Sequence, residues 1–63
     1  MNAYHEALSI PDLETVYDAL ASAIDEAGPD KSELFLVKLA LLNANAMGPE
    51  RFQQHLQAAL QDL

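Results

Sequence analysis

A chain of 63 residues with no cysteine, ten acids against three bases and a net charge of −7 already argues against several classes. Disulfides and thiolate metal sites cannot form, and Lys31, Lys38 and Arg51 are too few and scattered to neutralise nucleic-acid phosphates or an anionic membrane. Ordering so short a chain opposes folding by roughly 1.5 kcal/mol per residue, which a thin core barely offsets, so helix packing and self-association are the remaining sources of stability.

Half of the residues are hydrophobic, but they are mostly Ala and Leu, with two Phe, two Tyr and no Trp. Ala and Leu are strong helix formers, and the β-branched set is sparse (Ile10, Thr15, Val16, Ile24 and Val37), so the composition points to an all-α fold. Lys38, Asn43 and Asn45 interrupt the longest apolar run before it reaches the roughly 18 residues of a membrane span. Residues 1–10 lack a basic start followed by an apolar stretch, which argues against a signal peptide and, with the missing cysteine, fits a cytoplasmic protein.

Two Gly-Pro pairs, Gly28-Pro29 and Gly48-Pro49, punctuate the chain. Glycine just past a helix end takes a left-handed cap, and proline then forbids continuation. The pairs divide the chain into three helical segments behind an N-terminal arm over residues 1–9. In the first segment Ser9 is the N-cap candidate, with Pro11 and Asp12 in the opening turn. Leu13, Val16, Tyr17, Leu20, Ile24 and Ala27 form one apolar stripe, opposite Glu14, Asp18, Ser22 and Asp25.

The second segment opens with Asp30-Lys31-Ser32-Glu33, the spacing of a capping box with Asp in the Ser/Thr role. At about 100° per residue, Lys31, Lys38 and Asn45 share one polar line and Asn43 lies nearly opposite. The remaining positions are apolar and form two seams. The broad one holds Leu34, Val37, Ala40, Leu41, Ala44 and Met47, with Leu36 at its edge, and the narrow one holds Phe35, Leu39, Leu42 and Ala46. A surface helix needs one stripe, so this helix must be covered on more than one side. The third segment begins at Pro49, with Phe52, Leu56, Ala59, Leu60 and Leu63 on its apolar side and Gln53, Gln54, Gln57 and Gln61 on its wet side.

The reading is a single domain over 1–63, a small all-α three-helix bundle with short Gly-Pro connections, open to completion by dimerisation. Its helices are expected over about 10–27, 31–47 and 49–62. The expected core is Leu13, Val16, Tyr17, Leu20, Ile24, Leu34, Val37, Leu41, Met47, Phe52, Leu56 and Leu60.

With the broad seam covered by the first and third helices, the narrow seam is the candidate partner site: Phe35, Leu39, Leu42 and Ala46, with Asn43 beside it. A buried Asn43 would fix the register of helix pairing, whereas Asn45 reads as solvated beside Lys38. The competing reading has Tyr4, Leu8 and Ile10 fold back over the seam within the monomer. The expected partner is a second copy or one other protein, with no nucleic acid and no membrane.

The chemistry-bearing residues give no catalytic, metal or cofactor assignment. His5 and His55 have no second ligand at metal spacing, and Asp25, Asp30 and Glu33 lack the alternating acids and central glycine of a calcium loop. Lys31-Ser32-Glu33-Leu34 departs from the Asp-Ser-Leu that carries a phosphopantetheine arm, and Ser32 is accounted for as a first-turn residue.

The run Asp12 to Leu20, then Ser32-Glu33, then Leu39 to Gly48 resembles a family of short acidic helical bacterial proteins known only as a domain of unknown function. The resemblance spans roughly residues 11 to 60 and carries no assigned chemistry. Because relatives accompany flavin-dependent aromatic hydroxylases, it implies at most an accessory role, as a small subunit of such an oxidoreductase. The residues themselves point to a non-catalytic interaction module that self-associates through the second helix.

Overall fold

In the computed structural model, which describes residues 8–63, the fold class is the expected one. It is a small all-α protein of three helices with, among the described residues, no strand. The helices are α1 (Ile10–Ala27), α2 (Ser32–Met47) and α3 (Pro49–Leu60). The chain divides into two units, Met1–Ser32 and Glu33–Leu63, so α1 belongs to the first while α2, from Glu33 on, and α3 belong to the second.

α1 starts where the sequence places it. Ser9 has extended backbone (φ −64, ψ 164), and its side chain accepts a hydrogen bond of 3.2 Å from the Asp12 N–H. That bond satisfies one of the four N–H groups a helix start leaves without a partner. Leu13 N–H donates to the Ser9 carbonyl at 2.8 Å, and Thr15 Oγ1 donates to the Pro11 carbonyl at 3.1 Å. The other end is less well matched: Asp25 and Glu26 stand in a last turn with no basic residue, where the negative end of the helix dipole disfavours carboxylates.

Both Gly-Pro joints depart from the left-handed cap expected of them. Gly28 has φ 82 and ψ 162, and Gly48 has φ 91 and ψ 163. The positive φ closes the helix before it: Gly28 N–H donates to the Ile24 carbonyl at 3.1 Å and Gly48 N–H to the Ala44 carbonyl at 2.8 Å. The following proline excludes helical ψ for the residue it follows. Both demands together lead to a region that essentially only glycine occupies.

After the glycines the two joints diverge, although each carries Gly-Pro-acid-base. At Gly28 the backbone makes a turn, with Lys31 N–H donating to the Gly28 carbonyl at 3.0 Å, and α2 begins only at Ser32. At Gly48 the chain enters α3 directly, with Phe52 N–H donating to the Gly48 carbonyl at 3.1 Å. The start of α2 thus lies within one residue of the expected position, while the capping box on Asp30 is corrected. The turn closes on its own backbone, and among the described residues no hydrogen bond to the Asp30 side chain caps α2. α3 likewise ends at Leu60, two residues before the expected boundary. Gln61 N–H reaches the Ala58 carbonyl at 3.2 Å, and Asp62 takes a positive φ of 55, which a short polar side chain tolerates.

The expected core is not formed. Among the described residues none is buried. Leu20, Ile24, Met47 and Phe52 are half-buried, while Leu13, Val16, Tyr17, Leu34, Val37, Leu41, Leu56 and Leu60 are exposed. Periodicity marks the apolar stripes, but on helices of 18, 16 and 12 residues these Ala- and Leu-rich stripes stay at least partly open to water. Each Leu or Val left in water forgoes up to about 1.5–3 kcal/mol of transfer free energy.

Candidate interaction surface

α2 carries the candidate surface because its apolar residues point in every direction and the chain shelters only some of them. Phe35, Leu39, Ala40, Ala44 and Met47 are half-buried. Leu34 is 57% exposed, Val37 48%, Leu41 62% and Leu42 68%, with Leu36 also exposed. The broad seam, expected to be covered by the chain itself, is thus open along Leu34, Val37 and Leu41.

The residues proposed from the sequence separate accordingly. Leu42, Asn43 and Ala46 are exposed, whereas Phe35 and Leu39 are half-buried. Asn43 is therefore accessible to water in the single chain, as any residue of a seam between two chains would be. Asn45 and Lys38 are exposed as well, consistent with a solvated polar line. Leu8 and Ile10, candidates for covering the narrow seam, are themselves exposed, and Tyr4 lies outside the described residues. Both seams have the rhythm of paired helices, with Leu34, Val37, Leu41 and Ala44 at 3-4-3 spacing and Phe35, Leu39, Leu42 and Ala46 at 4-3-4, so exposure and not spacing distinguishes them.

The electrostatics differ sharply between helices. α1 carries Asp12, Glu14, Asp18, Asp25 and Glu26 and no base. α2 carries Glu33 and Lys38, and α3 Glu50 and Arg51, so each of these two helices is neutral. Five of the ten acids of the chain thus fall on α1 and one on α2.

Elsewhere the described surface offers shallow depressions along single helices and at the two Gly-Pro joints. One of about 640 Å³ follows Glu50, Gln53, Gln54 and Gln57 along the wet side of α3. Another, of about 540 Å³, lies beside Leu13, Glu14, Tyr17 and Asp18 on α1. Among the described residues no group of three His, Cys, Asp or Glu side chains is placed to hold a metal ion. His55 is exposed on α3, His5 lies outside the described residues, and Ser32 is the half-buried first residue of α2. None of the described helices is long and apolar enough to cross a membrane. Comparison with protein-family models, curated proteins and solved structures finds no match.

Proposed function

We propose that this protein is a non-catalytic interaction module that pairs with a second copy of itself through α2. The observation that carries the reading is the exposure of Leu34, Val37, Leu41 and Leu42 on a helix that is apolar nearly all round, in a chain with no buried described residue. Apolar surface of this extent on a small protein is a partner site by physical default, because covering it supplies the burial that the single chain lacks. Neutrality of α2 supports a second copy as the partner: two copies meeting there bring no net like charge together, whereas two copies of α1 would set five acids against five.

Light scattering coupled to size exclusion at micromolar concentration tests this reading. A mass of twice the 6.9 kDa chain is expected. A strict monomer across the accessible concentration range would overturn it. A monomer that enters a stoichiometric complex with a flavoprotein from the native cell would favour the accessory-subunit role instead.

A further inference from the structure

We infer that the two copies of α2 pair in parallel and in register, with Glu33 of each copy facing Lys38 of the other. This inference rests on the self-association proposed above and adds its orientation. The seam consists of Leu34, Val37, Leu41 and Ala44, three of them exposed and Ala44 half-buried. Their 3-4-3 spacing makes them successive core positions of two heptads. Glu33 and Lys38 then border the seam on opposite sides.

The two charges lie about 140° apart round the helix, too far to meet within one copy. In a parallel pair, the position before one core residue faces the position five residues later on the partner helix. Glu33 and Lys38 are separated by five and carry opposite charges, so a parallel pair gains two symmetric ion pairs. An antiparallel pair that retains all four core layers matches Leu34 with Ala44 and Val37 with Leu41. It sets Lys38 of one copy against Lys38 of the other and leaves both Glu33 side chains opposite apolar residues. Glu33 and Lys38 are the only charges on α2, so they alone bias the choice electrostatically.

The same-sign test is clean because the two orientations respond differently to one residue. Glu33→Lys weakens a parallel dimer by about tenfold in Kd, since both ion pairs become repulsions, and leaves an antiparallel dimer nearly unchanged. Lys38→Glu weakens a parallel dimer equally, and the two variants, each poor at self-pairing, associate when mixed. Absence of cysteine from the chain allows a second test by single-cysteine cross-linking. Leu34→Cys and Ala44→Cys should each form a disulfide-linked homodimer under mild oxidation. If the protein is dimeric but these two variants cross-link only when mixed, pairing is antiparallel and the inference fails while self-association stands. If neither variant cross-links and the protein is monomeric throughout, self-association and its orientation both fail.

Discussion

α1 and α2 solve the problem of being a helix in opposite ways. α1 is defined locally: Ser9 caps it, Pro11 opens it, one apolar stripe faces one way and five acids keep the rest in water. α2 has strong helix formers but only a polar line to give it a wet side, and its start is left to a backbone turn at Gly28. A helix of the first kind needs one neighbour. A helix of the second kind, with apolar residues open on one side and half-covered on another, needs more neighbours than this chain provides. Charge follows the same division, since the acids gather on α1 and leave α2 neutral.

The sharpest way to break this contrast is to place a charge on each open stripe in turn. Leu41→Glu should abolish association at micromolar concentration, because two leucines per dimer lose burial worth about 1.5–3 kcal/mol each and a carboxylate must stay hydrated. Val16→Glu on α1 should weaken association far less. Equal effects in sedimentation equilibrium would remove the distinction between the two helices.

The joints provide the next largest effect. Gly28→Ala and Gly48→Ala should each destabilise by about 1–3 kcal/mol in urea denaturation, because both glycines sit in a region closed to other residues. A methyl group would meet nothing within 4 Å at either position, so the loss comes from the backbone alone. Similar values at the two sites are expected, despite the different paths the chain takes after them.

Smaller effects should stay on α1. Ser9→Ala removes the cap bond and should lower stability by about 1 kcal/mol, seen as faster amide exchange in the first turn of α1 with α2 unaffected. Glu26→Gln removes one acid from an ill-suited last turn and should raise thermal stability by a few tenths of a kcal/mol, around the lower end of the range for dipole interactions of about 0.3–1 kcal/mol.

The helices and their breaks were legible in the sequence because their signals are local. Ser9, Pro11 and the two Gly-Pro pairs act within four residues, and they mark the α1 limits and the α2–α3 joint where they occur. The start of α2 was less legible, since Asp30 has the spacing of a capping box but lies within the turn closed by the Lys31 N–H and the Gly28 carbonyl. The core was legible only by half. Spacing tells which side of a helix is apolar, but what that side meets depends on nonlocal packing, and Leu34, Val37 and Leu41 face outward although their pattern is that of a core. Exposure on α2 is accordingly shared between the two seams, with Leu34, Val37 and Leu41 open on the broad one and Leu42 on the narrow one.

The central claim is that the apolar face of α2 finds its cover in a second copy, so folding and association are one event. Circular dichroism and molecular mass followed together through serial dilution test it most directly. Helicity and mass should fall over the same concentration range, with Leu41→Glu shifting both to higher concentration by the same factor. A monomer that keeps full helicity and unfolds cooperatively at the lowest concentration would contradict the claim.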